Sequence, residues 1–413
     1  MSAWSPTWRI VINAVEYTSV TLATLSISSG RTNIYTQAQA GYCNVTLINL
    51  DASNVLVTVN DILSVEIKDS SGTFVPIFTG SVMDIAIDVA EVGTVQITQT
   101  VTIMALGALA RLQKALTPGV LTQDFDGNQI LSILTDLLVN NWSEVPPSLT
   151  WGTYTPASET WANAQNTGLG QIDTPGNYEL AARSSSTSVI WNLVAALATS
   201  GLGYIYENSS GQVSYADSTH RSTYLATYGY TNLSANQALG QSIRVQVRGG
   251  DIRNDIDLSY ASGTVISKDL DSIATYGYLE QQISTTIFDV VEAQAQADFY
   301  ITLRAYPQAF LESITFALTN PELSDITRDA LISTFMGQPI SLADLPLNMS
   351  SGSFLGFVEG YRFSASYNQL SVTLLLSPLA FSIQAMQWQD VSVAEAWNTI
   401  VGTLDWEHAL VVA

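Results

Sequence analysis

The stretch Trp8-Arg9-Ile10-Val11-Ile12 places Trp8, Ile10 and Ile12 on one face of an extended chain. Successive side chains of a strand point to opposite faces of a sheet, so this spacing predicts a half-buried β-strand. Similar alternation recurs at residues 45–47, 56–59, 82–89 and 95–104, with a hairpin turn at residues 69–72. The first part of the chain is therefore expected to contain about six or more short strands. Such a series of short strands is typical of a β-barrel or a β-sandwich.

A second β-rich region begins at Ile243. Its alternating apolar stretches are residues 243–247, 256–258, 311–318, 357–363 and 370–376. A helix interrupts them, starting at Asp289 with Glu292 at the capping-box position and ending before Pro307. The two β-rich regions are similar in kind, which predicts the duplication of one barrel type.

Between these regions the pattern becomes helical and then irregular. Asp126 and Gln129 are spaced as a capping box, which predicts the start of a helix at Asp126. Residues 143–188 are rich in Pro, Gly and Trp and show no regular period, which is uncommon inside a compact domain. A helix over 189–198, ended by Gly201, and a hairpin over 204–215 then predict a small αββ unit.

The composition combines many apolar residues with few charges. Of the 413 residues, 47% are hydrophobic and 12% are charged, whereas soluble domains carry about 25% charged residues. The most apolar segment, 189–198, is about half as long as a membrane span. No basic and then apolar start resembling a signal peptide is visible, so we expect synthesis in the host cytoplasm. The composition therefore predicts a surface that partner proteins cover.

Charge, cysteine and histidine counts exclude several functions. The formal net charge is -22 at pH 7, which argues against stable binding to phosphate backbones. Cys43 is the single cysteine, so no intrachain disulfide is possible. His220 and His408 lie far apart with no cysteine at ligand spacing, so structural zinc is not expected.

No motif for catalysis, metal binding or cofactor binding stands out. Asp255 and Asp257 share one face of a strand, but no His or Lys is tied to them by sequence, so a solvated strand face is the preferred interpretation. Residues 124–127 resemble part of a calcium loop, yet Ile133 stands where that loop needs Glu. Nucleotide-binding, hydrolase-elbow and metalloprotease motifs are missing from the sequence. We therefore expect no catalytic residue, no metal and no cofactor.

Six tryptophans are the candidate interface residues: Trp142, Trp151, Trp161, Trp388, Trp397 and Trp406. Exposed aromatic side chains on loops stack on sugars or fill pockets of partner proteins. The first three could instead simply cover the helix that starts at Asp126. The last three lie in a C-terminal segment that is a candidate peptide for docking a neighbouring protein.

Several segments resemble, in the same order, those of minor tail proteins from long-tailed phages of actinobacteria. The resemblance covers roughly residues 8–112 and 240–380, and it depends on the order of motifs that are individually weak. The segments are Trp8 to Asn13, Tyr17-Thr18, Gly30-Arg31-Thr32, Ala40 to Leu47, Phe78 to Ile85, Leu106 to Leu112, Arg253 to Ile256, Phe357 to Gly360 and Thr373 to Pro378.

This resemblance implies a baseplate-hub or tail-hub fold with two β-barrel domains per chain. Three chains would then form a pseudo-six-fold ring below the tail tube. Ala14 is a departure, because that turn in the family favours Gly; Ala tolerates positive φ poorly, so we expect the turn to avoid positive φ.

The sequence thus predicts a mainly β chain with α+β elements: two β-barrel hub domains, a small αββ domain and a long irregular insert. The expected units are a first barrel at 1–115, a helix and insert at 116–188, the αββ unit at 189–238, a second barrel at 239–380 and a docking extension at 381–413.

The leading hypothesis is a non-enzymatic, trimeric tail-tip hub in the virion. Its expected partners are copies of itself, the ring of the distal tail or tube protein, the tape-measure protein, and tip or receptor-binding fibre proteins. DNA would pass an acidic channel wall without binding to it. Two alternatives remain open at this point: a carbohydrate-binding tip protein that recognises the host, and, with less support, a tail-associated wall hydrolase.

Overall fold

The computed structural model describes residues 4–17, 20–34, 36–49, 55–89, 99–138, 169–240, 243–347, 352–366 and 369–382. Within these ranges the protein is mainly β, as the sequence predicted, with helices concentrated in the second half. None of the helices in the same ranges is both long enough and apolar enough to cross a bilayer.

The first half of the described chain is built mainly from strands. These are β1 Trp8–Ile12, β2 Val15–Tyr17, β3 Val20–Gly30, β4 Gln39–Asn49, β5 Ile62–Lys68, β6 Phe74–Val89, β7 Gln99–Leu106, β8 Leu116–Thr117, β9 Asp124–Phe125, β10 Leu169–Ile172, β11 Glu179–Leu180 and β12 Ser188–Val189. Two helices accompany them, α1 Leu109–Leu112 and α2 Asp126–Leu138.

The second half mixes strands with five helices in its described ranges. The strands are β13 Tyr204–Glu207, β14 Val213–Ala216, β15 Thr231–Ser234, β16 Val245–Val247, β17 Asp255–Tyr260, β18 Gly263–Lys268, β19 Glu280–Ser284, β20 Ala309–Leu311, β21 Ser313–Ala317, β22 Pro339–Ala343, β23 Phe354–Ser366 and β24 Gln369–Pro378. The helices are α3 Ile190–Ser200, α4 His220–Tyr228, α5 Leu270–Tyr276, α6 Val290–Arg304 and α7 Asp325–Ile332.

One large sheet joins the two halves of the chain. Its twelve strands run in the order β15-β22-β23-β3-β4-β7-β6-β5-β1-β2, with β24 paired to β23 and β21 paired to β24. The halves meet where β3 and β23 pair antiparallel, from Gly30 opposite Gly360 to Thr24 opposite Ser366. The expected pair of separate barrels is not confirmed, because no closed barrel forms among the described strands and this pairing makes one continuous sheet.

A single hydrophobic cluster lies under this sheet and draws on both halves. It includes Ile10, Leu47 and Val65 from the first half and Phe316 and Phe363 from the second. These side chains are fully or almost fully buried, and burying apolar area at this scale is the main contribution to the stability of such a sheet. Ile10 and Ile12 are buried as the alternation in β1 predicted.

The helix and the hairpin predicted over 189–215 form, and they belong to a second core. Helix α3 ends at Gly201, and β13 and β14 form an antiparallel hairpin, with β10 added parallel to β14. A separate sheet, β18-β17-β19, packs against α6. Val194, Tyr215, Leu258 and Ile301 from these elements lie in one buried cluster, together with Ile133 of α2.

The turn between β1 and β2 differs from the expectation. Asn13 and Ala14 have φ values of 48° and 64°, and Ile12 lies opposite Val15, which makes a two-residue hairpin loop of the type with two positive φ values. The side chain of Asn13 bonds to Asp61 at 2.6 Å and accepts from the backbone N–H of Ile62 at 3.0 Å. These bonds hold the turn against β5, so Ala14 adopts the conformation that the sequence argument excluded.

Two helix starts are placed as predicted, but their capping partners differ. Asp289 accepts from the backbone N–H groups of Val291 and Glu292 and caps α6, whereas the Glu292 carboxylate accepts from the N–H of Glu179 at 3.0 Å. The expected return bond from Glu292 to the cap is therefore replaced by a bond to another strand.

The same change occurs at the start of α2. The Asp126 carboxylate accepts from the backbone N–H groups of Asn177 and Tyr178, both at 2.8 Å, and from the hydroxyl of Tyr215. The side-chain amide of Gln129 donates to backbone carbonyl groups outside the helix. Because these partners lie outside α2, the Asp126 side chain joins the helix to its neighbours rather than acting as a simple helix cap. Burial also raises the pKa of Asp126.

Candidate functional site

Glu359 in β23 is a buried carboxylate held by three side chains. Its oxygens lie 2.6 Å from Nε of Arg31, and 2.8 and 2.9 Å from Nη1 and Nη2 of Arg221, while the Ser377 hydroxyl donates to it at 2.5 Å. The exposed side-chain fractions of Glu359, Arg31 and Arg221 are 1%, 5% and 6%. Arg31 follows β3 and Arg221 lies in α4, so one carboxylate joins three distant segments.

Aromatic rings complete the surroundings of the two arginines. The guanidinium groups of Arg31 and Arg221 lie 5.2 and 4.8 Å from the centre of the Tyr204 ring, and Arg221 also lies 4.9 Å from that of Phe357. Guanidinium groups within about 6 Å of a ring face are attracted by its quadrupole. The cluster is therefore stabilised by both a counter-charge and aromatic faces.

The charge of Glu359 depends on its partners. Burial alone would raise the pKa of this carboxyl, but the guanidinium groups of Arg221 and Arg31 hold it well below its usual range. A buried ion pair of this kind adds little stability compared with an apolar replacement, yet losing one partner is costly. We conclude that the cluster fixes how the three segments fit together.

Glycine permits the close approach of β3 and β23 at this point. Gly30 has φ of 90°, and a Cβ atom there would overlap the backbone carbonyl of Glu359. A Cβ atom at Gly360 would meet the backbone of Ser29 and Arg31. Both glycines belong to segments that carry the resemblance described above, and the structure brings these segments into direct contact.

A second buried carboxylate, Glu207 at the end of β13, contacts β4 and α1. It accepts from the backbone N–H of Gly41 in β4 at 2.5 Å and from that of Leu109 in α1 at 3.0 Å. A Cβ atom at Gly41 or at Gly107 would overlap this carboxylate. No ion pair to Glu207 forms within the described ranges, and burial raises its pKa to about 7.

A cleft opens beside the Glu359 cluster, where the sheet meets the αββ unit and α6. Its volume is about 260 Å³. Arg31, Arg221 and Arg304 line it together with the edge of β19 and apolar side chains of α6. Small-molecule sites occur preferentially at such junctions between structural units.

The described residues contain no group of three His, Cys, Asp or Glu side chains that could hold a metal ion. Cys43 is buried, which raises the pKa of its thiol and leaves the unreactive protonated form. His220 lies 2.7 Å from Asp173, and this pair links α4 to the segment after β10.

The acidic residues that the sequence singled out have structural partners. Asp255 is buried and pairs across the sheet with Lys268 in β18, at 2.7 Å, so the solvated strand face expected for this residue is wrong. Asp126 makes the bonds described above. The six candidate tryptophans, Trp142, Trp151, Trp161, Trp388, Trp397 and Trp406, lie outside the described residues.

Sequence reasoning missed Glu207 and Arg221 altogether. Glu359, Arg31, Gly41 and Gly107 lie in the resembling segments, but no local pattern marks them as parts of a site. The available signal was the glycine in each segment, since an otherwise apolar strand that contains Gly marks a close backbone approach. The partner of each glycine could not be read from the sequence.

Comparison with known proteins gives a match by structure and none by sequence. No protein-family model matches the chain, and no curated protein does. The fold is similar to that of the 43 kDa tail protein of prophage MuSo2 from Shewanella oneidensis, with a TM-score of 0.56 and 11% identity. That match covers 91% of this chain and 99% of the other.

A tail protein from Neisseria meningitidis MC58 is similar to the same degree. Its TM-score is 0.56 at 10% identity, and the match covers 92% of this chain and 98% of the other. At such low identity the likeness is one of fold. It extends over nearly the whole of each chain, so it includes both the large sheet and the αββ part.

Proposed function

We propose that this chain is a structural subunit of a phage tail. The observation that carries the proposal is the fold shared with two tail proteins over more than nine-tenths of the chain. The buried charged groups support it, because Glu359 and Glu207 fasten segments together and have the partners of structural residues. A non-enzymatic role is part of the proposal.

The finer proposal is a hub at the tail tip, in which three chains form a pseudo-six-fold ring. The contact between Gly30-Arg31 and Glu359-Gly360 supports it, because these segments carry the resemblance to tail proteins of actinobacterial phages. In such a ring the two β-rich halves of each chain would take similar positions. The division of each chain into two barrel-like halves, which the resemblance implies, is part of this proposal.

Exposed apolar side chains support extensive contacts with neighbours. Several large ones are more than 70% exposed: Leu56, Tyr228, Leu270, Val291, Ile326 and Leu347. Exposed apolar surface of this extent marks protein contacts when it forms patches. The proposed neighbours are other copies of the chain, the distal tail or tube ring, the tape-measure protein, and tip or fibre proteins.

The negative charge fits a ring through which DNA passes. Three copies carry a formal charge of 3 × -22 = -66. Any share of this charge on a channel wall repels the phosphate backbone and prevents DNA from binding there. The charge thus supports passage of DNA through the ring, and the location that we propose for this ring is the distal end of the tail.

Two measurements test the proposal at its two levels. Gold-labelled antibodies against the chain should bind at the tip of intact virions, and native mass spectrometry of the purified chain should show a trimer. Labelling elsewhere on the tail would leave a tail protein but remove the hub assignment. A monomer that binds isolated cell-wall glycan, with no label on virions, would contradict the structural role.

A further inference from the structure

Three exposed tyrosines lie at one end of the β18-β17-β19 sheet. Tyr276 ends α5, Tyr278 precedes β19, and Tyr306 lies just after α6. Their exposed fractions are 42%, 70% and 45%. The rings of Tyr276 and Tyr306 meet edge to face, with their centres 6.5 Å apart. We call these three residues the tyrosine patch.

Two consecutive residues of the chain connect the rings of the patch. Lys268 is the last residue of β18, and its Nζ lies 5.7 Å from the centre of the Tyr278 ring and 2.7 Å from the Asp255 carboxylate. The next residue is Asp269, whose carboxylate accepts from the hydroxyl of Tyr306 at 3.4 Å. Because neighbouring residues contact Tyr278 and Tyr306, the three rings belong to one surface.

A buried polar pair fixes the backbone around the patch. Asn254 and Ser272 are fully buried, and the side-chain amide of Asn254 donates to the Ser272 hydroxyl at 3.1 Å. Their other partners are three backbone groups beside the tyrosines: the carbonyl of Gly277 and the N–H of Leu279, both at 2.9 Å, and the carbonyl of Ala305. A surface that is ordered in advance loses less conformational entropy when it binds a ligand.

The chemistry of the patch suits an uncharged sugar. A tyrosine ring offers a large, rigid apolar face with a polar hydroxyl, and such faces stack on the C–H faces of pyranose rings. Asp269 and Asp271 at the start of α5 supply acceptors for sugar hydroxyl groups and repel anions. Lys268 is already paired with Asp255. The surroundings therefore favour a neutral glycan over one that carries phosphate or carboxylate groups.

We propose that the tyrosine patch binds a neutral glycan of β-linked pyranose units with equatorial hydroxyl groups. Sugars of this type present flat C–H faces to an aromatic ring. Successive units lie across Tyr278 and across the paired rings of Tyr276 and Tyr306. Their hydroxyl groups donate to Asp269 and Asp271. This binding activity is additional to the role as a tail subunit and does not depend on it.

Calorimetric titration of the full chain with cellohexaose tests the proposal. We expect saturable binding of this neutral β-1,4-linked hexamer. The matched probe is the hexamer of β-1,4-linked glucuronate, which has the same ring geometry with a carboxylate at C6. It should bind at least about tenfold more weakly, because the acidic side chains around the patch repel it. Equal or tighter binding of the glucuronate hexamer would contradict a neutral ligand.

Substitutions at Tyr278 test the location of the site. Tyr278→Ala removes one stacking ring and should weaken binding of cellohexaose at least about tenfold. Tyr278→Phe keeps the ring and should retain most of the affinity. Tyr228→Ala, in α4, is the matched control because Tyr228 is 71% exposed, close to the 70% of Tyr278. This control should leave the affinity unchanged.

Two results would overturn the proposal. Unaltered affinity in a folded Tyr278→Ala variant would place the sugar elsewhere, and thermal melting shows whether the variant is folded. If it is not, Tyr306→Ala decides by the same criterion. Absence of saturable binding of cellohexaose to the wild-type chain also rejects the glycan. Weaker self-association of Tyr278→Ala in sedimentation equilibrium would then identify the patch as a contact between copies.

Discussion

Glu359 and Glu207 are both buried carboxylates, but their contributions to the stability of the fold change with pH in opposite directions. Glu359 contacts two guanidinium groups, whereas Glu207 contacts the backbone N–H groups of Gly41 and Leu109. The pKa of Glu359 is therefore lowered, and that of Glu207 is raised by burial. A carboxyl with a lowered pKa stabilises the fold above its unfolded pKa, and one with a raised pKa destabilises the fold as pH rises through the same value.

We expect Glu359→Gln to lower the free energy of unfolding at pH 7 by about 3–5 kcal/mol, because Arg31 and Arg221 are left buried without a counter-charge. The carboxylate's stabilising effect is present above its ordinary pKa of 4.5 and decreases as pH falls below it. The difference in the free energy of unfolding between wild type and variant should therefore shrink by about 1.4 kcal/mol per pH unit below 4.5. Urea unfolding at pH 7 and in acid measures both effects.

Glu312→Gln is the control for this experiment. Glu312 forms an exposed pair with Arg248, and such pairs contribute about 0–1 kcal/mol. A Glu359→Gln variant no less stable than this control would show that the cluster does not fix the junction.

Glu207 gives the opposite pH dependence. Between its ordinary pKa of 4.5 and its folded value of about 7, the unfolded chain has released a proton that the folded chain retains. Stability should therefore fall as pH rises through this window, by on the order of 3 kcal/mol. Glu207→Gln should lose this dependence, with a lower stability in acid because its amide accepts only one of the two N–H bonds. Urea midpoints of the wild type and of the variant at pH 5 and pH 8 measure how stability changes with pH. An equal change in the two proteins would show that Glu207 is ionised throughout this range.

The sequence shows which residue types are present at this site, but it does not show which of these residues pair with one another. Gly41 and Glu207 are 166 positions apart, and Arg31 and Glu359 are 328 apart. Periodicity reports which face of one element is buried, and it carries no information across such separations. The glycines could be recognised as close-approach positions, but the carboxylates that fill the space could not.

At the scale of elements, local signals were the dependable ones. Helix α3 ends at Gly201, β13 and β14 form a hairpin, and α6 begins after Asp289, all as predicted. Each depends on residues within a few positions of one another. The reciprocal bonds expected for Gln129 and Glu292 failed because tertiary partners, including the backbone of Glu179, compete for those side chains.

The hairpin between β1 and β2 tests one such local feature. Ala14 at a φ of 64° costs about 1–2 kcal/mol, whereas placing Gly there adds about 0.4–1 kcal/mol of unfolded-state entropy. We expect Ala14→Gly to stabilise the hairpin by roughly 0.5–1 kcal/mol. Slower hydrogen exchange of the N–H groups in β1 and β2 measures the gain. Ala14→Val, with a branched side chain at the same φ, should exchange faster, and the reverse order would contradict the turn.

At the scale of the whole molecule, the mainly β class was predicted and the arrangement of the sheet was not. Each β-rich region showed its own alternation, which suggested two separate barrels. The antiparallel pairing of β3 with β23 instead joins them into one sheet over one core. A prediction made for each segment separately does not reveal this edge-to-edge contact. An edge strand has the same alternation of apolar and polar residues whether or not it pairs with another strand.

The net charge of the molecule leads to a prediction about assembly. Bringing three copies together, each with a formal charge of -22, is opposed by long-range repulsion that salt screens. The screening length falls from about 30 Å at 0.01 M salt to about 8 Å at 0.15 M. If exposed apolar side chains such as Leu56 and Ile326 form the contacts, the association constant of the proposed trimer should rise by on the order of tenfold over this range. Sedimentation equilibrium in sodium chloride measures it, with sucrose of equal osmolarity as the uncharged control. Dissociation on adding salt would instead place ion pairs at the interface and contradict an apolar contact between copies.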